Sequence, residues 1–79
     1  MTDKDALLDR IAFDRDMLGG KAHIRGTRVG VGHILAALAT GETPEQIVDE
    51  LPWLVLEDIQ AALYYAAQSA DRSIIIAAE

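Results

Sequence analysis

The chain has 79 residues and no cysteine, with 51% hydrophobic residues, 25% charged residues and a formal net charge of −6. That length makes one domain, and one that buries only about 60% of its unfolded surface, so self-association or a partner would add to its stability. The composition excludes a disordered or fibrous chain, the missing cysteines exclude disulfides, thiolate zinc sites and thiol nucleophiles, and no apolar run approaches the roughly 20 residues of a bilayer span.

The acidic start MTDKDALLDR lacks the basic and apolar regions of a signal peptide, and the expected location is the cytoplasm. Charge is uneven along the chain. Residues 1–20 carry net −2, residues 21–33 net +3 and residues 34–79 net −7. The stretch GGKAHIRGTRVGVGH, residues 19–33, holds Lys21, Arg25, Arg28 and both histidines without a single acid. A polyanion that binds this chain binds here. The overall charge argues against non-specific nucleic-acid affinity, which needs a broad basic footprint.

In chain order, RIAFD (residues 10–14) places Ile11 and Phe13 on one face of a possible strand, and DRDMLGGK reads as a loop. A β-hairpin follows, with Gly26-Thr27 as a two-residue type II′ turn. Arg25 then faces Arg28, Ile24 faces Val29, His23 faces Gly30 and Ala22 faces Val31. One face carries Ala22, Ile24, Val29 and Val31; the other carries His23, Arg25 and Arg28. From Val31 the period changes to that of an amphipathic helix through Ile34, Leu35 and Leu38, ended by Gly41. TPEQ starts the next helix, with Thr43 as N-cap, Pro44 at the first position and Gln46 completing a capping box. Ile47, Val48 and Leu51 form its apolar face and Pro52 ends it near Glu50.

A third helix runs from about Leu56 to Ala70, with Leu56, Ile59, Ala62, Leu63 and Ala66 as its stripe and Glu57 and Asp58 at its positive end. It lacks an ordinary side-chain N-cap, because the Val55 side chain accepts no hydrogen bond. Trp53, in the turn between the last two helices, reads most simply as a core plug. Tyr64 and Tyr65 are about 100° apart around the axis, so one of them is expected at a surface or interface. The tail RSIIIAAE has three β-branched residues in a row and suits a structural strand, or partner recognition through Ile74, Ile75 and Ile76.

The expected fold is therefore α+β and mostly α: an N-terminal β-hairpin with short strands, then a three-helix, helix-turn-helix (homeodomain-like) core. Residues 1–79 form a single domain, with a β-element and N-terminal segment over 1–31, the helical core over 32–70 and a tail over 71–79. Arg25 opposite Arg28 is a like-charge pair that costs stability. Two readings of this face stand side by side. The carboxylates of the chain neutralise it internally, or it is an anion site of Lys21, His23, Arg25, Thr27 and Arg28 for DNA phosphate or a partner's carboxylates.

Other chemistry is poorly supplied. No third His or Cys accompanies His23 and His33 to make a zinc site, so no metal is expected. Gly30-Val31-Gly32 begins like a dinucleotide fingerprint, but Leu35 stands where the third glycine belongs, and no cofactor is expected. Asp14 and Asp16 flank Arg15 in a pattern of turn chemistry. No nucleophile, metal cluster or phosphate loop supports catalysis, so the chain is expected not to be an enzyme. As a DNA reader the last helix is poor, since LEDIQAALYYAAQ contains no Arg or Lys.

LLDRI, GGK.HIRGTRV, ILAALATGETPEQIVDELPWL and EDIQAALYYAA, over about residues 7–67, resemble the bacterial family called domain of unknown function 433. The ordered set GG-K-x-x-I-x-G-T-R, G-E-T-x-E-x-I and a P-x-L turn carries the likeness. The resemblance implies a helix-turn-helix-like fold with an N-terminal β-element, and a role as a VapB-like antitoxin paired with a PIN-like ribonuclease toxin. Three positions depart from the pattern: Ala22 where Pro is frequent, Trp53 where His is frequent and Val55 where a Thr cap is usual. The resemblance thus implies the antitoxin of a type II toxin–antitoxin pair, binding the toxin directly and regulating its own transcription as a homodimer on operator DNA. Trp53, Tyr64, Tyr65 and the isoleucines of the tail are its expected partner or dimer interface. The alternative is a protein–protein interaction module that never binds DNA.

Overall fold

The computed structural model describes residues 3–77, with side chains described through Asp71. The fold is α+β and mostly helical. In chain order it runs α1 (Lys4–Asp9), β1 (Ile11–Ala12), a 3-10 turn (Leu18–Gly20), β2 (His23–Ile24), α2 (Val31–Ala39), α3 (Pro44–Glu50) and α4 (Leu56–Ala77). The core gathers Leu7, Ile11, Ile24, Val31, Ile34, Ile47, Ile59, Ala61 and Ala62 from the four α-helices and both strands, with Leu54 from the corner between α3 and α4. Ala61 and Ala62, in the first two turns of α4, are fully buried with little side-chain bulk, and α1, α2 and α3 all pack against this helix. Among the described residues no helix is long and apolar enough to cross a membrane.

Helix α1 falls in the N-terminal segment for which the sequence suggests no element. The Asp3 carboxylate caps it by accepting the Asp5 N–H at 3.2 Å. Six residues are too few to be helical alone. Leu7, buried where α1 packs on α4, is what holds the turn.

The β-element keeps the expected register and changes the expected turn. β1 pairs antiparallel with β2, Ile11 opposite Ile24 and Ala12 opposite His23. On the other side of β2, His23 bridges to Gly30. The Ile24 N–H donates to the Val29 carbonyl at 2.9 Å, and the Val31 N–H to that of Ala22 at 3.0 Å. The tight turn, however, is Ile24–Thr27, closed by the Thr27 N–H on the Ile24 carbonyl at 3.0 Å. Gly26 is its third residue at φ +80°, a left-handed position that favours glycine. The type II′ turn at Gly26-Thr27 is therefore not formed. Arg25 and Arg28 are loop residues rather than a cross-strand pair, and the Arg25 N–H donates across to the Arg10 carbonyl at 2.7 Å.

Helices α2 and α3 form as the sequence predicts. Gly41, at φ +101°, follows the Thr40 C-cap of α2. The full capping box of α3 is present: Thr43 Oγ1 accepts the Gln46 N–H at 3.1 Å and Gln46 Oε1 accepts the Thr43 N–H at 2.8 Å.

Two expectations about α4 are corrected, and the start that the sequence leaves without a cap is supplied with a partner. Its start carries half of a capping box: Asp58 Oδ2, from the third helical position, accepts the Val55 N–H at 3.0 Å, while Val55 offers no side-chain acceptor in return. Asp58 turns inward to meet Arg10, and the buried stripe follows Asp58, Ile59, Ala61 and Ala62, while Leu56 and Leu63 are exposed. Finally, the backbone of the tail continues as helix to Ala77 rather than forming a strand, since extending an existing helix needs no new nucleus and overrides the propensity of β-branched residues.

Trp53 is not a core plug. It is 60% exposed at the corner between α3 and α4, and Leu54, buried to 1%, fills the inter-helix position instead. The Leu54 N–H closes this corner on the Leu51 carbonyl at 2.9 Å.

Candidate functional site

The basic loop Arg25–Arg28 separates the roles of its residues by hydrogen bonding. Arg25 is held from its side chain as well as its backbone. Its Nε donates to the Asp9 carbonyl at 2.7 Å and its Nη2 to the Ile11 carbonyl at 3.2 Å. Thr27 Oγ1 donates to the Ile24 carbonyl at 2.8 Å and accepts the Val29 N–H at 3.0 Å, so its hydroxyl braces the loop. The Lys21 and Arg28 side chains are exposed and make no hydrogen bond or ion pair among the described residues. The cations of the stretch therefore divide into one that builds the loop and two that face solvent.

His23 leaves the charged face on which alternation places it, because it is 3% exposed. The loop over residues 14–21 folds across that face. Its Lys21 carbonyl lies 3.4 Å from His23 Nδ1, and its Leu18 Cδ1 lies 3.4 Å from where a Cβ on Gly30 would sit. To reach this contact Leu18 adopts φ +54°, a left-handed conformation that costs a residue with a side chain about 1 kcal/mol.

Two grooves flank Arg28, which lines both. One, of about 690 Å³, is bounded by Phe13, Arg15, Arg25, Thr27 and Arg28, with Asp14 as its one carboxylate. The other, of about 610 Å³, has Leu18, Val29 and Leu51 as apolar lining and Lys21, Arg28 and His33 as cationic or titratable groups, with no acid. Arg28 is thus a ridge between a polar groove with three arginines and a more apolar one. An unpaired guanidinium in this position offers a fork of donors to a carboxylate or phosphate entering from either side.

Arg15, His33 and Leu18 join this site although the sequence reading set no binding role on them. For Arg15 a signal was available. Asp14 Oδ1 accepts the Asp16 N–H at 2.9 Å, an Asx turn of the kind DRD suggests, and Arg15 is the exposed residue between them. Its approach to Arg25 and Arg28 depends on the loop folding back, which no local pattern specifies.

Of the aromatic residues, Phe13 borders the polar groove, whereas Tyr64 and Tyr65 line neither groove. Tyr64 and Tyr65 are both half-buried. Tyr64 Oη accepts from Gln68 Nε2 at 3.1 Å, and Tyr65 meets the Phe13 ring at a centroid distance of 5.9 Å and a tilt of 58°. The side chains of Ile74, Ile75 and Ile76 lie outside the described residues. Among the described residues no three His, Asp or Glu side chains converge as a metal would require.

Residues 11–66 match the family described as "Protein of unknown function (DUF433)". A relative from Sinorhizobium fredii, called "Uncharacterized protein y4eO", is 35% identical over 66 residues. That match covers 84% of this chain but 30% of the relative, so the chain spans less than a third of that protein's length. Among solved structures, the crystal structure of a DUF433 member protein from Anabaena variabilis is similar at a TM-score of 0.76 and 28% identity. It covers 95% of this chain and 74% of that one.

Proposed function

The chain belongs to the DUF433 family, and from that premise we propose that it is the antitoxin of a type II toxin–antitoxin pair, with Arg28 as its principal contact to the toxin. The observation that carries this reading is the unpaired Arg28 ridge between two grooves, on a chain whose net charge is −6. A PIN-like ribonuclease gathers carboxylates around its metal, and a guanidinium inserted there meets an oppositely charged pocket in bidentate geometry. The proposed mode is direct occlusion of that pocket. No covalent chemistry on the antitoxin's side is involved, and the chain is read as a binding protein rather than an enzyme.

Transcriptional autoregulation through operator DNA is the second part of the reading, and it rests on the same ridge with Arg15 and Lys21 as phosphate contacts. One observation favours the alternative, a protein-binding module that leaves DNA alone: over residues 56–71 helix α4 has no Lys or Arg, while Glu57 stands exposed in its first turn. A helix lying in a groove of DNA would set that carboxylate against phosphates.

The test is neutralisation of a co-expressed PIN-like toxin, with the Kd of the purified pair. Arg28→Glu weakens binding by about 100-fold, equivalent to roughly 3 kcal/mol, while the circular dichroism spectrum and melting temperature stay those of the wild type. Unchanged neutralisation by the folded Arg28→Glu variant removes the ridge from the toxin interface. In parallel, a labelled upstream duplex titrated at two salt concentrations gives a slope of about −0.9 per neutralised phosphate if DNA is bound. A flat response leaves the protein partner as the whole function.

A further inference from the structure

We infer that the apolar groove bounded by Leu18, Val29 and Leu51 receives Trp53 of a second copy of this chain, in a reciprocal two-fold contact. Trp53 is 60% exposed, and Val55 and Leu56 beside it are 46% and 44% exposed. Together they form a contiguous exposed apolar corner, and such patches often mark interaction sites. Leu51 lines the groove and Trp53 is two residues further on, so knob and groove are within about 7 Å of each other along the backbone. A patch that contains both halves of a contact is self-complementary. Two copies related by a two-fold axis fill both grooves at once, and the interface closes without leaving a free end to polymerise.

Charge selects the same occupant. The groove carries Lys21, Arg28 and His33 and no acid. The corner is flanked by exposed Asp49, Glu50 and Glu57, and residues 34–71 contain no Lys or Arg. Docking therefore brings an acidic knob to a basic rim on both sides of the axis. A groove of about 610 Å³ is ample for an indole ring. A tryptophan buries roughly 150–250 Å². Reciprocal burial of Trp53, Val55 and Leu56 against Leu18 and Leu51 brings the contact to the order of 1,000 Å², the scale of a weak but specific dimer. The groove on the far side of Arg28, with Arg15 and Arg25, stays open in this arrangement.

Trp53 is the chain's single tryptophan, so its fluorescence reports this contact directly. Emission of the wild-type chain is followed from low micromolar to submillimolar concentration, alongside sedimentation equilibrium. The expected result is a blue shift that tracks the appearance of a dimer. Trp53→Ala keeps the wild-type circular dichroism spectrum and stays monomeric over the same range. Lys21→Glu and Glu50→Lys each weaken dimerisation at least tenfold. An equimolar mixture of those two variants recovers wild-type affinity, because each junction of the mixed dimer then pairs opposite charges. Emission that stays at the solvent-exposed wavelength throughout overturns the inference. So does a dimer that Trp53→Ala leaves intact, or a variant mixture that fails to recover. None of these readouts involves toxin, DNA or substitution of Arg28, so the outcome is separate from that of the antitoxin reading.

Discussion

Arg25 and Arg28 lie three residues apart and serve different ends. Arg25 ties the loop to the α1–β1 junction through the Asp9 and Ile11 carbonyls, whereas Arg28 is bonded to nothing among the described residues. Arg25→Ala is expected to destabilise the fold by about 1–2 kcal/mol, since two charge-assisted hydrogen bonds are lost at a partly solvated site. Arg28→Ala is expected to stay within about 0.5 kcal/mol of wild type. Urea denaturation of the two variants side by side checks this. Equal stability would mean that the Arg25 contacts contribute nothing net, and reversal of Arg25 would then be as clean a functional probe as reversal of Arg28. The basic character of the stretch was legible residue by residue. The division of labour within it was not, because the acceptors that capture Arg25 are main-chain carbonyls of another segment, and a carbonyl leaves no trace in the residue types.

At the scale of elements, local chemistry was decisive wherever it was complete. The α3 capping box needs only Thr43, Pro44 and Gln46, all within four residues, and it forms as its residue types require. Helix α4 is the contrast. Its start lacks an N-cap side chain and depends on Asp58, which accepts the Val55 N–H through one oxygen and the Arg10 guanidinium through the other, at 3.0 Å each. That carboxylate therefore caps α4 and pins it to the α1–β1 junction. Asp58→Ala is expected to cost about 2 kcal/mol, roughly one for the lost cap and one for the part-exposed ion pair. Asp58→Asn, which keeps an acceptor for Val55, is expected to cost less. Thermal melts of both variants decide it: equal losses would assign the whole effect to the charge on Arg10. The position of Asp58 early in α4 was legible from the sequence, but Arg10, 48 residues away, was not.

For the whole molecule, smallness sets the margin. A domain of this length sits near the low end of the usual range, at about 5 kcal/mol. Its core is narrow enough that Ile34, fully buried, belongs to the single cluster reached by every helix. Ile34→Ala is expected to cost about 3 kcal/mol and to lower the melting temperature on the order of 15 °C. A loss below about 1 kcal/mol would show that the surrounding core collapses into the cavity. The same smallness explains why an exposed Trp53 matters, since contact between copies would add burial that one chain cannot supply for itself.

The residues alone determined what depends on neighbours along the chain. These are the register of the β-element, set by alternation from Ala22 to Val31, the limits of α2 and α3, set by Gly41 and by the Thr43–Gln46 box, and the gathering of cations between Lys21 and His33. Only the tertiary structure decided the rest. α1 exists because α4 offers Leu7 a place to bury, and His23 is covered because the 14–21 loop folds over it. The inward face of α4 includes Asp58, whose partner Arg10 comes from the α1–β1 junction. Each of these is a contact between segments distant in sequence, whose energy appears only once the chain has closed on itself, and so no window of neighbouring residues carries it.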